Sequence, residues 1–347
     1  MRKARVVVVT GGSAGVGRAV ARAFARRGDR VAILARGEER VGATCLELRE
    51  MGAEALGIVV DVADAAQVEN AAERIDRELG PISVWVNNAA TTVFAPVVDT
   101  TPEEFHQVTQ VNYLGTVHGT LAALRSMRRR NRGTIVQVGS ALAYRSIPLQ
   151  SAYCGAKAAI RGFTDSLRSE LIREHSAIRL TMVQLCAFNT PQFDWARNKL
   201  GTRVKPVPPI FQPELAADAI VHAAAHPRRE VWVGWPAVKA ILSTRVLPGL
   251  GDRLAAGQAW DGQQTLEPAP VDEPGSLFAP VTGFFAAHGR FDAEAHGISM
   301  QWQLSKHRAG AALAALALGG LAYALLPRLV SRSEDGGKPP RRTADYN

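Results

Sequence analysis

The feature that most limits what this chain can fold into lies near its start. Val6 to Val9 run without a break into Thr10-Gly11-Gly12-Ser13-Ala14-Gly15-Val16-Gly17. A short β-branched run reads as a buried strand, and the glycines after it permit a tight turn into a helix. Such a turn brings backbone N–H groups up to a pyrophosphate at a helix N-terminus. A glycine-rich turn alone is a weak signal; the strand before it and the helix after it give it weight. The rest of the chain then has to supply parallel strands around this first unit.

Strand-like runs at 5–10, 30–35, 55–60, 82–87, 133–139, 178–185 and 230–234 alternate with helical stretches near 15–28, 38–51, 64–79, 102–130, 151–175 and 213–225. Several runs are apolar almost throughout, as in parallel strands covered on both faces. Thr101-Pro102-Glu103-Glu104 is a helix start, with proline and acids in its first turn. The alternation predicts an α/β fold, a doubly wound parallel sheet of about seven strands over 1–235. Residues 188–212 interrupt it with four prolines and Phe193, Trp195 and Phe211, and read as a lid. From 236 to 305 the pattern weakens into an appendage packed on the main domain, with no chemistry to assign.

Composition removes other classes. Hydrophobic residues make up 47% and charged residues 21% of 347, which excludes wholesale disorder. The three cysteines, Cys45, Cys154 and Cys186, form no CxxC, so neither a disulfide scaffold nor a cysteine-built metal site is expected. The four-residue apolar run near the N-terminus is too short for a secretory signal, so the body of the chain is expected in the cytosol.

The formal charge is +9, and residues 303–347 hold seven basic and three acidic groups. An excess weighted to the tail suits a membrane surface better than nucleic acid. Arg125, Arg128, Arg129, Arg130 and Arg132 cluster at a helix end without interleaved aromatics, so nucleic-acid binding is not expected. Ala309 to Leu326 carries no charge. As a helix it would span about 27 Å, and it reads as a C-terminal transmembrane helix; a buried or dimerising Ala-rich helix is the alternative. Residues 327–347 read as a disordered basic tail. The expectation is membrane association through 309–326 with a cytosolic body.

The second strand ends Ile33-Leu34-Ala35-Arg36. A free ribose 2′-hydroxyl is usually met by an acid here, whereas a 2′-phosphate needs that acid gone and an arginine nearby. Ala35 offers no carboxylate and Arg36 offers a guanidinium, with Arg18 and Arg40 as candidate helpers, so NADP(H) is favoured over NAD(H). The competing reading of Arg36 is a solvated surface charge. Asp61-Val62 and Asn87-Asn88-Ala89-Ala90 end the third and fourth strands at the carboxyl edge, where ligands of open α/β sheets bind. Ser140 ends a strand, and Tyr153 and Lys157 lie four apart on one helix face. An ammonium beside a phenol lowers its pKa, and Ser140 can hold a carbonyl or hydroxyl for proton exchange with Tyr153.

Taken in order, these motifs resemble the short-chain dehydrogenase/reductase family. Thr10 to Gly17 matches its TGxxxGxG turn, Asn87 to Ala90 its NNAG segment with alanine last, and Tyr153 to Lys157 its YxxxK. The resemblance covers about residues 4–235. It implies a Rossmann-type fold and an NAD(P)-dependent oxidoreductase that moves a hydride between nicotinamide C4 and a carbonyl or secondary alcohol. It also implies a tetrad of Asn112, Ser140, Tyr153 and Lys157, with Tyr153 as general acid/base, Lys157 lowering its pKa and binding ribose, and Asn112 supporting a proton relay. The implied cofactor contacts are Gly11, Ser13, Gly15, Val16, Gly17, Arg36, Asp61, Val62, Asn87, Ala89, Tyr153, Lys157 and Thr190. Helices 102–130 and 151–175 would pair subunits into a homodimer or homotetramer.

One stretch departs from the family. Leu185-Cys186-Ala187-Phe188-Asn189-Thr190-Pro191 lacks the Pro-Gly pair expected before the nicotinamide-contacting threonine. Cys186 reads as a small packing residue. Phe188, Phe193, Trp195 and Phe211 point to an apolar, lipophilic substrate. The rival class is a non-catalytic NADP-binding sensor or scaffold at the membrane, against which the intact tetrad argues.

Overall fold

The structure is a computed structural model that describes residues 4–283, 286–308 and 310. The expected span at 309–326, Gly310 apart, and the tail at 327–347 lie outside them. Among the described residues no helix is long and apolar enough to cross a membrane.

The strands are β1 (Val6–Thr10), β2 (Arg30–Ala35), β3 (Ala55–Val59), β4 (Ile82–Asn87), β5 (Val93–Phe94), β6 (Thr134–Ser140), β7 (Arg179–Leu185), β8 (Arg197–Asn198), β9 (Thr202–Val204), β10 (Glu230–Trp232) and β11 (Gln264–Pro268). The helices that matter below are α1 (Gly15–Ala25), α2 (Glu38–Glu50), α3 (Ala65–Glu78), α4 (Pro102–Thr109), α5 (Gly115–Arg128), α6 (Ser151–Arg173), α7 (Gln192–Trp195), α8 (Pro213–Ala225), α9 (Trp235–Val246) and α10 (Pro248–Leu254). Seven strands form one parallel sheet in the order β10-β7-β6-β4-β1-β2-β3. The chain winds outward from β1 through β2 and β3, then crosses back to β4 and outward again. The switch point therefore lies between β1 and β4, and a crevice opens at their carboxyl ends.

Alternation along β1 explains why the sheet needs cover on both sides. Val7 and Val9 face the layer of α1 and α8, while Val6 and Val8 face the layer of α3, α5 and α6. All four are buried, as a strand sandwiched between helices requires. The 102–130 stretch is not one helix. Thr101 opens α4 with a capping box to Glu104, and a π-helical turn at Gln110–Leu114 then separates α4 from α5. Gly115 restarts the helix where only a glycine fits, since a Cβ there would lie 2.7 Å from Val62 Cγ2.

The chain through Trp302 forms one compact unit, so residues 236–302 belong to the same body as the sheet. Residues from Gln303 on form a second unit, of which the described part is mainly the last helical turn before Lys306. Two small ribbons, β5 with β8 and β9 with β11, stitch the 188–212 insertion to its surroundings. Glu104 anchors it further. Its buried carboxylate accepts from Arg197 at 2.7 Å and Lys199 at 2.9 Å, and these bonds outweigh burial to hold its pKa down.

Candidate active site

The glycine turn is shaped by contacts across the switch point. The Thr10 hydroxyl accepts from the backbone N–H groups of Asn88 at 2.9 Å and Ala89 at 3.0 Å. The Asn88 side-chain amide donates to Thr10 O at 3.0 Å and Gly11 O at 3.3 Å. Gly11 and Gly15 have φ of 64° and 52°, in the left-handed region. A Cβ on Gly17 would fall 2.1 Å from Gly11 O, so the turn closes only without one.

This turn borders a cleft of about 460 Å3, within the usual range for small-molecule sites. Gly11, Ser13, Gly15, Val16, Gly17, Arg36, Asp61, Val62, Ala89, Ser140, Tyr153, Lys157 and Thr190 all line it. Two expected site residues do not. Asn87 is turned away between β4, β6 and α5, where its side chain meets Trp85 Nε1, Thr120 Oγ1 and Gln137 Oε1 at 2.8–3.0 Å. Strand alternation explains the swap: Asn88, its neighbour, faces the cleft instead. Asn112 is fully buried in the π-helical turn and holds both backbone polar groups of Thr91, at 2.7 and 2.9 Å. It reaches the cleft only through Thr91, which does line it.

Ser140 arrives from the end of β6, Tyr153 and Lys157 from the first turns of α6. Burial pushes the Tyr153 phenol well above its ordinary value, and the hydrogen bond with Ser140 only partly offsets this. Lys157 lies close to that ring. Its ammonium donates to Val138 O at 2.8 Å and lies 5.4 Å from the Tyr153 ring centre. Burial also disfavours its own charge, bringing its pKa down to about 8.

The end of the cleft beside β2 is more crowded than the sequence suggested. Arg36 donates to the carbonyls of Ser276 at 2.6 Å and of Leu277 and Phe278 at 3.3 Å. Arg40 is buried, with its guanidinium 5.0 Å from the Trp195 ring centre. Its Nε finds no hydrogen-bond partner, and burial together with the charge of Arg36 lowers its pKa. Arg18 is not free to help, because it is paired with Glu47 at 2.6 Å.

The appendage read as having no chemistry therefore touches the site. Besides the carbonyls on Arg36, Ala286 O accepts from the Gly15 N–H at 3.1 Å. Gly275 and Gly289 permit the approach: a Cβ on either would lie 2.4 Å from the carbonyl oxygen of Trp195 or Thr190. Asn189, buried beside Thr190, donates to Asp292 at 2.8 Å and accepts from the Phe291 N–H at 3.1 Å. His288 bridges Asp292 at 2.7 Å and Glu214 at 2.9 Å. Residues 275–278 and 286–292 thus act as a strap along the cleft rim. Their sequence signal was slight, two glycines and a histidine among turn-forming residues.

In the insertion, Phe193, Trp195 and Phe188 line the cleft, and Phe193 packs against Phe94 at 6.0 Å and Phe291 at 6.1 Å. Phe211 is a core residue beside Phe188, outside the cleft lining. Cys186 is packed against Gly234, and burial pushes its thiol up to about 12, which suits a packing role.

With this geometry in view, comparison with known proteins is informative. Residues 5–200 match the family model of the short chain dehydrogenases. The chain belongs to the short-chain dehydrogenase/reductase family. It is 33% identical over 278 residues to an uncharacterized oxidoreductase, YxnA, of Bacillus subtilis, covering 80% of this chain and 78% of that one. Dehydrogenase/reductase SDR family member 7B of Bos taurus is 30% identical over 267 residues, 73% of this chain and 81% of its own. A structure of an alcohol dehydrogenase from Thermococcus sibiricus complexed with 5-hydroxy-NADP superposes with a TM-score of 0.57 at 29% identity. That match covers 67% of this chain and 96% of the archaeal one. The match spans 55% of a fungal relative and 39% of a longer mycobacterial one. The protein is an NAD(P)-dependent oxidoreductase of the Rossmann-like α/β class.

The site fits such a cofactor on its own terms. Gly11, Gly15 and Gly17 keep Cβ atoms out of the tightest points of the turn, where a pyrophosphate would approach on displacing Ala286 O from the Gly15 N–H, and Arg40 keeps a buried, unpartnered Nε.

Proposed function

We propose that this enzyme is an NADP(H)-preferring carbonyl reductase or alcohol dehydrogenase acting on an apolar substrate. The observation behind it is the meeting of Ser140, Tyr153 and Lys157 in one cleft with a buried, unsatisfied Arg40 at its other end. Bound there, the dinucleotide would supply the hydride at nicotinamide C4. The chain's own groups do the rest. Gly11 to Gly17 and Thr190 hold the phosphates and the nicotinamide end. Arg40, together with Arg36 on its release from the 276–278 carbonyls, would meet the 2′-phosphate, where a guanidinium forms charge-assisted bonds. Ser140 positions the substrate oxygen by hydrogen bonding.

Tyr153 handles the proton at that oxygen. A buried phenol keeps its proton at neutral pH and can donate it to a carbonyl oxygen, and the phenolate so formed can take a proton back from an alcohol, so Tyr153 serves either direction. Phe188, Phe193 and Trp195 give the substrate side its apolar character. The run 309–326 supports a membrane-associated enzyme, and the family's habit supports a homo-oligomer.

The test is NADPH oxidation across a panel of lipophilic and hydrophilic carbonyls, with wild type and Tyr153→Phe. Turnover of lipophilic carbonyls that drops roughly a hundred- to ten-thousand-fold in the variant, with NADPH binding retained, supports the reading. Cofactor binding with no turnover in either protein would favour the non-catalytic scaffold. Turnover of small hydrophilic sugars alone would refute the apolar substrate.

A further inference from the structure

We propose that the outer face of α9 and α10 is a membrane-docking surface that rests on an anionic lipid layer beside the mouth of the cleft. Trp235, Leu242 and Val246 recur at i, i+7 and i+11 on α9, opposite the fully buried Ala237 and Ile241. Leu247, Leu250 and Leu254 carry the exposed row on through α10, and Val246 alone leaves 74% of its surface in water. Scattered exposed leucines are ordinary, but six large apolar side chains in twenty residues form a patch that marks an interaction site.

Charge selects the occupant. Residues 235–251 contain no carboxylate. Lys239, Arg245 and Arg253 stand exposed along the apolar row, and no carboxylate among the described residues pairs with them. The one acid nearby, Asp252, is taken by Arg145. An apolar outer row with flanking cations and Trp235 at its end gives the α9–α10 surface an apolar body and a cationic rim, the pairing that anionic headgroups above acyl chains would match. At 12 residues, α9 reaches only about 18 Å and cannot cross a bilayer, so it lies in the interface.

Position gives the surface its meaning. On their inner side, Pro236 and Ala240 of α9 line the cleft. Arg145, which also lines it, donates to Pro248 O at 3.2 Å and so seats α10 against the segment that follows Ser140. A docked α9–α10 face would put the cleft mouth at the bilayer surface. The docking itself is independent of the run 309–326 and of which substrate the enzyme takes.

The test uses the full chain labelled through Val246→Cys with a polarity-sensitive fluorophore, and Glu50→Cys on α2 as the control. Labelling is made selective by a Cys186→Ser background, since Cys45 and Cys154 are buried whereas Cys186 lines the cleft half-buried. Vesicles are phosphatidylcholine with or without phosphatidylglycerol, and some contain lipid with a spin label high on its acyl chain. The expected result is a blue shift and spin-label quenching at 246 but not at 50, on anionic vesicles only. In K239E/R245E/R253E the affinity measured at 246 should weaken roughly five-fold per cation replaced.

Vesicle-bound protein whose 246 probe stays in water would overturn the proposal, since another segment would then be the anchor. A probe already shielded from acrylamide without vesicles would overturn it too. Shielding that grows with protein concentration would assign the face to a second copy, and shielding independent of concentration to the chain's own C-terminal run. Quenching unaffected by the triple charge reversal would remove the anionic-lipid partner.

Discussion

Lys157 and Arg40 are two cations held in one cleft, and their environments make different predictions. Burial lowers Lys157 to about 8, so its folded-state pKa lies below the ordinary lysine value near 10.4. The sign follows from linkage: keeping this group charged costs stability below pH 8, and that cost is relieved as pH rises from about 8 towards 10.4. For an anionic cofactor the trend reverses, because the attracting charge is lost over the same rise. NADPH affinity, followed by fluorescence titration, should therefore fall as pH passes through about 8. In Lys157→Met it should be weaker throughout and flatter over that window. Arg40 differs because its Nε is buried without a partner, and a buried unsatisfied donor costs about 1–3 kcal/mol. A bound 2′-phosphate can repay that cost. Arg40→Leu should thus weaken NADPH binding by roughly 10- to 100-fold, leave NADH nearly unchanged and not destabilise the apoprotein. Equal loss for both cofactors would show that Arg40 acts through Trp195 and not through the phosphate.

Among the elements, the strap is the least foreseeable, and it holds the second titratable device. Partial burial disfavours charge on His288, yet hydrogen bonds to Glu214 and Asp292 outweigh it and raise the pKa. A raised histidine contributes stability that is complete below its unfolded value of about 6.5 and is lost as pH rises through the folded pKa. Hydrogen exchange in 286–292, corrected for the intrinsic rate, should accelerate across that rise, and His288→Gln should be fast at every pH. Because Ala286 O occupies the Gly15 N–H, a loosened strap should also admit NADPH faster; an unchanged association rate would mean the strap moves aside before binding. The main elements were legible because each declared itself locally. Val6 to Val9 could only be a covered strand, and Thr101-Pro102-Glu103-Glu104 could only open a helix. The break at 110–114 was not legible, since what surrounds it is tertiary: Gly115, where the helix resumes, lies against Val62, 53 residues away in sequence. Asn87 and Asn88 show the same limit at the site: the dipeptide was visible, but which one faces the cleft depends on strand phase against the helix layer. The strap left only Gly275, His288 and Gly289 as traces, because its hydrogen bonds run through backbone carbonyls that no side chain announces.

For the whole molecule, the cleft draws on nearly every part of the first unit: the turn after β1, the ends of β2, β4, β6 and β7, the start of α6, the 188–212 insertion and α9. A ligand that bridges so many elements binds the native state and not the unfolded chain, so it must raise global stability by mass action. At free NADPH near 100 times its Kd the gain is about 2.7 kcal/mol. At the ordinary unfolding entropy per residue, a unit running to Trp302 converts each kcal/mol into a shift of about 1.6 °C, so Tm should rise by roughly 4 °C. NADH at the same concentration should give a visibly smaller shift if Arg36 and Arg40 read the 2′-phosphate. Tyr153→Phe should keep the full NADPH shift while losing turnover, because the phenol oxygen takes part in proton transfer and the ring still fills its place. Differential scanning fluorimetry of wild type, Tyr153→Phe and Arg40→Leu with each cofactor separates these roles. Loss of the NADPH shift in Tyr153→Phe would make Tyr153 part of the binding scaffold and remove the assignment of proton transfer to it.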